Sequence, residues 1–317
     1  AILLTSGNIE IIKRGIKIYI LIGLIQAAYG FYQIFAGPLG LATYQSLFAS
    51  MGIPMTNDRT VDGYLYSGAL GLFRTTGFFS SDVSHYAGYL VGIITITLSM
   101  LFHNPKRKYL WLIFIMAAFA LILSFSRSGQ LAFILFGLPA LLFLLTYFKL
   151  IFFRIGNVFN LKNASIFTVF IFSIPFIANQ VGLDIDQITT TISSRFTDLF
   201  DAGSNDKESM GIHILTRLQG LDAFFTHPFF GVGLGVNASP WYSDFYGGYA
   251  GSHSHHIDIL AQTGIIGALL EWLFMISVLR IMWKGLSTPI ADLEAHFILS
   301  GIFASVVAII GGNLFYH

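Results

Sequence analysis

Three of the nine histidines of this 317-residue chain lie within four positions, in Gly251-Ser252-His253-Ser254-His255-His256-Ile257-Asp258. The segment ends a polar stretch and leads into an apolar one that contains Gly264-Ile265-Ile266-Gly267. Imidazole titrates near neutral pH, so a histidine cluster at a water–membrane boundary indicates proton transfer or ligation. A helix start that uses histidine and serine as solvated capping residues would have the same composition. This stretch alone favours neither interpretation.

Metal ligation is the weaker of the two chemical interpretations. The cluster has no pair of ligands at the i, i+4 spacing of a helical metal site, and the chain has no cysteine. A neutral imidazole can instead accept the proton of an attacking hydroxyl group. We therefore expect a catalytic base in this cluster, and neither a metal nor a cofactor.

The composition is typical of a polytopic membrane protein. The chain is 55% hydrophobic and 10% charged, with a mean hydropathy of +0.73, whereas soluble domains carry about 25% charged residues. The formal net charge is +1 and no basic tract is present, which argues against a nucleic-acid partner. We expect an all-α polytopic membrane protein in contact with membrane lipids.

Seven apolar runs are long enough to cross a bilayer, which takes roughly 17–25 residues; they lie near 15–36, 84–103, 109–125, 130–148, 164–181, 257–280 and 295–315. Basic residues cluster in four places on one side, which the positive-inside rule assigns to the cytoplasm. These are Lys13, Arg14 and Lys17, then residues 106–108, then Lys149, Arg154 and Lys162, then Arg280 and Lys284. We expect residues 1–317 to form one transmembrane domain, in which residues 182–256 are a large outer loop that carries catalytic residues.

Arginines on the outer side are the second chemical clue. Arg127 lies in the turn Ser126-Arg127-Ser128-Gly129, between two apolar runs, and Arg74 lies shortly before the second span. Arginine outside departs from the positive-inside trend, so for Arg127 we favour a phosphate clamp, for which a guanidinium offers paired donors. Snorkelling to lipid phosphates, and for Arg74 a surface ion pair with Asp82, are the structural alternatives.

Residues 213–225 predict an amphipathic helix in the outer loop, because Ile214, Leu218, Leu221 and Phe225 recur at helical spacing. His213 and Arg217 share a face of this helix at i, i+4. The segment that follows, residues 227–233, lacks the Lys-Ser/Thr of a P-loop and the GxGxxG of a dinucleotide fold. We expect its glycines to serve tight turns or close backbone approach.

Four motifs resemble those of the O-antigen ligases and Wzy-type polysaccharide polymerases. The family pattern of His, then Asn, Ser or Gln, nine residues and Gly-x-x-Gly/Thr/Tyr is matched in full by His253-Ser254 with residues 264–267. Arg217 with residues 227–233 resembles the family's R…HPxxGxG segment, and Arg127 resembles the arginine of its short SR turn. Residues 74–79 resemble its RxxGxF stretch, although the proline usual after that stretch is replaced around Val83.

The resemblance implies a GT-C-like helical bundle in the bacterial cytoplasmic (inner) membrane, with an active site that faces the periplasm. The family uses undecaprenyl-diphosphate-linked glycans and has about a dozen spans, so we expect N-terminal helices to be missing from this chain. By the same resemblance, His253 would deprotonate the acceptor, and Arg127 and Arg217 would neutralise the leaving diphosphate, with inversion and without a metal. The candidate substrate-binding residues are Arg74, Arg195, His213, Ser254, His255 and His256.

The acceptor distinguishes three enzymes. A polymerase extends another lipid-linked repeat unit, a ligase uses a lipid A core, and a protein O-oligosaccharyltransferase uses serine or threonine. We favour a polymerase of O-antigen, capsule or exopolysaccharide, because the His- and Tyr-rich loop suits one particular repeat unit. A transporter of lipid-linked glycans would show internal repeats and charges at the membrane midplane. The sequence has Glu271 at depth and no repeat, and Glu271 suits a structural hydrogen bond as well as a functional role.

Overall fold

The computed structural model describes residues 9–36, 41–43, 60–61, 64–67, 72–73, 75, 77, 83–124, 126–150, 207–234, 252, 254–288 and 292–314. Their helices are α1 (Ile9–Ala36), α2 (Val83–His103), α3 (Lys108–Leu123), α4 (Arg127–Leu131), a π-helix (Ala132–Gly137), α5 (Leu138–Tyr147), α6 (Lys207–Thr226), α7 (His255–Ser287) and α8 (Leu293–Gly312). Three short strands, β1 (Thr60–Val61), β2 (Tyr64–Ser67) and β3 (Leu72–Phe73), pair antiparallel in that order. Apart from this small sheet, the fold is the expected helical one.

Four of the described helices are long and apolar enough to cross a membrane, namely Ser84–His103, Ser128–Tyr147, His255–Ser287 and Leu293–Gly312. They confirm the runs predicted near 84–103, 130–148 and 295–315, whereas the run near 257–280 falls within a helix that has non-helical φ and ψ at Gly264. The run near 109–125 forms the shorter apolar helix α3, and the run near 15–36 forms most of α1. The run near 164–181 lies outside the described residues. The chain is therefore an all-α, multi-pass membrane protein.

The chain divides into two compact units, residues 1–199 with 289–308 and residues 200–288 with 309–317. Helix α2 lies in the core of the first unit, because its side chains are buried from Leu90 to Phe102. A helix that is apolar on every side suits the interior of a bundle. Thr95 and Thr97 are compatible with this position because their hydroxyl groups donate to carbonyls one turn earlier, with Thr97 Oγ1 2.7 Å from Ile93 O.

The Ser128–Tyr147 span contains the π-helix in its first half. Pro139, at the start of α5, has no N–H to donate to the preceding turn. Leu138 N bonds to Phe133 O, five residues earlier. Gly137 lies in a tight contact, where a Cβ atom would come within 3.2 Å of Thr95 Cγ2. The wider helical turn thus brings a side-chain-free position against α2.

Ion pairs join three segments at one end of the first unit. Lys13 of α1 contacts Asp292, which directly precedes α8, and lies 3.8 Å from Glu294. Arg107, between α2 and α3, contacts Glu294 as well. The start of α1, the α2–α3 connection and the start of α8 therefore lie on one face. That arrangement is the one that the distribution of basic residues predicts for these segments.

Asp292→Asn is expected to destabilise the fold at neutral pH and to lose this effect in acid. The hydrogen bond from Lys13 lowers the pKa of the Asp292 carboxyl below its ordinary value of 3.8. A lowered carboxyl pKa stabilises the fold above the unfolded-state pKa, and this contribution is lost as the pH falls through the folded-state pKa. We expect a deficit of about 0.5–1 kcal/mol at pH 7 that shrinks below about pH 4, measured by thermal unfolding in detergent.

Asparagine isolates the charge in this experiment. Asp292 also accepts a hydrogen bond from Ala295 N at 3.2 Å, as the N-cap of α8, and asparagine caps a helix as well as aspartate does. Glu10→Gln is the matched control, because Glu10 is 70% exposed and lies 3.6 Å from Lys13. An equal loss of stability in both variants, or a loss that does not depend on pH, would contradict a stabilising role for the Lys13–Asp292 ion pair.

Candidate active site

The predicted site residues are only partly within the described residues. Those outside are His253, Arg74, Arg195 and the side chains of Arg127 and His213. Those described in full lie in the second unit and are Arg217, Ser254, His255 and His256. In the described parts of the chain, no group of three or more His, Cys, Asp or Glu side chains could hold a metal ion.

Helix α7 is broken at Gly264, which has φ 64° and ψ −168°. We call residues 255–263 the half-helix and residues 265–287 the spanning piece. In a continuous helix, the amides of Ile265 and Ile266 would donate to the carbonyls of Ala261 and Gln262. The break separates these partners and leaves four backbone groups that must find other hydrogen bonds.

All four groups bond to one segment, residues 228–233. The bonds are Val232 N to Ala261 O (2.9 Å), Gly233 N to Gln262 O (2.9 Å), Ile265 N to Pro228 O (2.8 Å) and Ile266 N to Phe229 O (3.4 Å). Two lost helical bonds are thus replaced by four bonds to another part of the chain. The HPxxGxG-like segment and the Gly-x-x-Gly segment, read as separate motifs in the sequence, form one structural element.

Glycine is required on both sides of this element. Gly231 has φ 67° and Gly264 has φ 64°, which is the left-handed region that other residues seldom adopt. A Cβ atom on Gly264 would overlap the backbone carbonyl of Phe229, and one on Gly231 would overlap that of Gln262. The prediction that the glycines of residues 227–233 serve close backbone approach is confirmed.

The half-helix folds back along the spanning piece. His255 Nε2 lies 2.6 Å from Glu271 Oε1, although sixteen positions separate the two residues. In a straight helix that separation corresponds to about 24 Å, which is beyond the reach of these side chains. The break at Gly264 is therefore a reversal of direction. Glu271 thus makes the structural hydrogen bond that was one of the two roles considered for it, and its partner is His255.

The start of the half-helix fixes the two residues that flank His253. Asp258 is 8% exposed, and its Oδ1 accepts a hydrogen bond from Ser252 N at 2.7 Å. Ser252 Oγ donates to Ser254 O at 2.7 Å and accepts from Ser254 N at 3.1 Å. Sequence reasoning missed this role of Asp258. Its position in the first turn after a serine-rich segment was the available signal.

Arg217 and His256 both contact the backbone of residues 310–314. Arg217 Nη2 donates to Leu314 O at 3.4 Å, and His256 Nε2 lies 3.3 Å from Ile310 O. These carbonyls are four residues apart along the chain, at the end of α8 and in the turn that follows it. The rings of His255 and His256 have centroids 5.9 Å apart. The second unit thus brings two predicted histidines together, and one of them contacts the same segment as Arg217.

The predicted helix over residues 213–225 is confirmed as part of α6, but two of the residues in its apolar stripe are exposed. Leu218 and Phe225 are 57% and 72% exposed, whereas Gly220 and Ala223 are buried. Small residues allow helices to approach closely in membrane proteins. Leu218 and Phe225 therefore lie at the surface of the unit, and Gly220 and Ala223 are buried contacts of α6.

The turn that carries Arg127 is as predicted. Arg127 is the first residue of α4, and Ser126 caps that helix, since its Oγ accepts a hydrogen bond from Gly129 N at 3.3 Å. Gly129 packs so closely that a Cβ atom there would overlap Ala87 of α2. The backbone of the turn is therefore fixed by a cap on one side and by close packing on the other.

The stretch that follows Arg74 enters the same end of the first unit. Thr75 is fully buried and its Oγ1 lies 3.5 Å from Ala120 O, near the end of α3. Gly77 N donates to Gln33 Oε1 at 2.9 Å, near the end of α1. The flanks of Arg74 and the Arg127 turn are thus both anchored on the α3 end of the bundle.

A family model described as O-antigen ligase matches residues 111–270, slightly more than half of the chain. The matched range includes Arg127, Arg217, His253 and both glycine segments. No curated protein sequence is significantly similar to the chain.

Gly264→Ala is expected to destabilise the second unit, because alanine is strained at positive φ and its Cβ atom would overlap Phe229. We expect a loss of at least about 2 kcal/mol in the free energy of unfolding. Gly285→Ala is the matched control on the same helix, since a Cβ atom there meets nothing within 4 Å. Thermal unfolding of the purified variants in detergent measures both. Equal stability of the two variants would show that α7 is not broken.

Proposed function

Because the chain belongs to the O-antigen ligase family, we propose that it transfers a glycan from a polyprenyl diphosphate to a hydroxyl group of an acceptor. Members of this family are glycosyltransferase-like enzymes that act on lipid-linked glycans. The observation that carries the proposal is the pairing of residues 228–233 with the break at Gly264. It joins two motifs of the family within the unit that contains Arg217 and the histidines.

The proposed reaction is one displacement at the anomeric carbon. His253 accepts the proton of the acceptor hydroxyl, whose oxygen forms the new glycosidic bond. The bond between the anomeric carbon and the diphosphate breaks, and polyprenyl diphosphate leaves with its electron pair. Attack from the opposite face inverts the configuration. Arg127 and Arg217 neutralise the charge that grows on the diphosphate, which is the largest electrostatic demand of the transition state.

We assign this reaction to the outer face of the bacterial inner membrane. The ion-paired face of the first unit, with Lys13 and Arg107, then lies in the cytoplasm. The turn that carries Arg127 is at the other end of α3 from Arg107. The remaining candidates for contact with donor or acceptor are Arg74, Arg195, His213, Ser254, His255 and His256.

The acceptor we favour is a second lipid-linked repeat unit, which makes the protein a polymerase. The support is the His- and Tyr-rich segment before α7, which suits recognition of one repeat unit. The description of the matched family supports the second candidate, a ligase with a lipid A core as acceptor. The two differ in product size, so one assay separates them.

His253→Ala is expected to abolish polymerisation, because no other group is assigned to accept the hydroxyl proton. Purified protein in lipid would receive a single-repeat polyprenyl-diphosphate glycan, and the products would be resolved by size. Wild type should give a ladder, and the variant should lose at least about a hundredfold in rate.

His103→Gln is the control for this experiment, since His103 ends α2 at the ion-paired face. It should retain the ladder. If wild type forms no ladder but transfers glycan to added lipid A core, the protein is a ligase. Transfer to neither acceptor, nor to serine or threonine of an added protein, with a matched glycan would refute the proposal.

Arg217→Lys tests diphosphate binding against a structural role. The observed hydrogen bond to Leu314 O is one that a lysine ammonium can also donate. Lysine lacks the planar paired donors that match a phosphate. We expect turnover to fall by about tenfold to a hundredfold, with an unchanged thermal midpoint. Wild-type turnover in Arg217→Lys, combined with loss in Arg217→Ala, would assign Arg217 to the Leu314 contact.

A further inference from the structure

Glu271 has no role in the reaction proposed above, although it joins the two pieces of α7. Its Oε1 lies 2.6 Å from Nε2 of His255, the first residue of the half-helix. We propose that His255 and Glu271 form a latch that positions residues 252–256 for glycan transfer. The inference rests on the proposed function, which assigns that segment to the reaction. Glu271 lies one residue beyond the range that the family model matches.

The environment of Glu271 requires a partner. It is the one acidic residue in the sequence of the spanning piece, and its side chain is 18% exposed. Its Oε2 atom is buried without a hydrogen-bond partner among the described residues. Acidic residues in membrane helices are costly, and those present pair with another group or serve a function. The contact with His255 is what makes this carboxylate compatible with the helix.

The latch acts on the end of the half-helix that is far from the break. The bonds to residues 228–233 hold the end next to Gly264. The half-helix is about 13 Å long, so a rotation of about 5° at Gly264 moves its far end by about 1 Å. His256 gives that end a second, longer contact, 3.3 Å to Ile310 O. Removing the latch leaves the far end with the weaker restraint.

Glu271 is therefore a positioning residue, so its removal should lower kcat more than it changes KM. A misplacement of about 1 Å can reduce a rate by about a hundredfold. In the proposed function the diphosphate of the donor is held by Arg127 and Arg217, so loss of the latch should affect donor binding less than turnover. We expect Glu271→Ala to lower kcat about tenfold to a hundredfold and to leave KM for the lipid donor within about twofold.

Two further variants distinguish the latch from a general loss of structure. Glu271→Gln keeps an oxygen that can accept a hydrogen bond from His255, so its kcat should be within about threefold of wild type. Ser277→Ala is the matched control, because Ser277 lies six residues further along the same helix. Its exposed hydroxyl group bonds within that helix, to Leu273 O at 2.6 Å. Its activity should be unchanged.

A labelling experiment measures the accessibility of residue 254 directly and needs no glycan. The chain has no cysteine, so Ser254→Cys introduces a single thiol. Ser254 is 3% exposed and its hydroxyl makes no capping hydrogen bond, so the substitution removes little. A maleimide should react slowly with Ser254→Cys, and about tenfold faster when Glu271→Ala is added. Adding Ser277→Ala should leave the rate unchanged.

The outcomes separate the latch from the proposed function. Faster labelling together with lower kcat in Glu271→Ala supports the latch. Unchanged labelling overturns it, whether or not kcat falls, and so does a higher KM at unchanged kcat. If Glu271→Ala speeds labelling but the protein with Glu271 intact transfers no glycan, the latch is supported as a structural device and the proposed function is refuted.

Discussion

A break in a membrane helix exposes backbone groups that water cannot satisfy, and the second unit is built around this constraint. An unpaired N–H or C=O in an apolar environment costs several kcal/mol. The break at Gly264 exposes two carbonyls and two amides, and residues 228–233 provide a partner for each. The segment and the break therefore have to form together. This dependence explains why glycines occur in both, at positions 231 and 264, where each backbone contacts the other.

The same constraint creates the geometry in which chemistry is proposed. Because the chain reverses at Gly264, the polar start of the half-helix returns toward the spanning piece, where His255 meets Glu271. Asp258 and Ser252 then fix the backbone on both sides of His253. A group that is held before the reaction begins needs no reorganisation in the transition state, and this is the main source of electrostatic catalysis.

Much of the first unit could be predicted from the sequence, because its signals are local. The apolar runs near 84–103 and 295–315 give α2 and α8, and the basic residues Lys13 and Arg107 anticipate the ion-paired face. The break in α7 could not be predicted in this way. The apolar run predicted near 257–280 continues across Gly264, and apolar periodicity contains no information on φ. The His255–Glu271 contact could not be predicted for the same reason, because two residues separated by sixteen positions cannot touch in a straight helix.

Buried polar side chains in both units make hydrogen bonds to other parts of the chain, and Glu271 makes one with only half of its carboxyl group. In the first unit, Gln33 accepts a hydrogen bond from Gly77 N, and Ser99 donates one to Phe297 O. Glu271 has one oxygen bonded to His255 and the other buried without a partner in the described part of the chain. Natural sequences tend to violate local rules at functional sites, where the cost is compensated elsewhere. A broken helix and a half-satisfied carboxylate occur within eight residues of each other, and both act on the segment that contains His253.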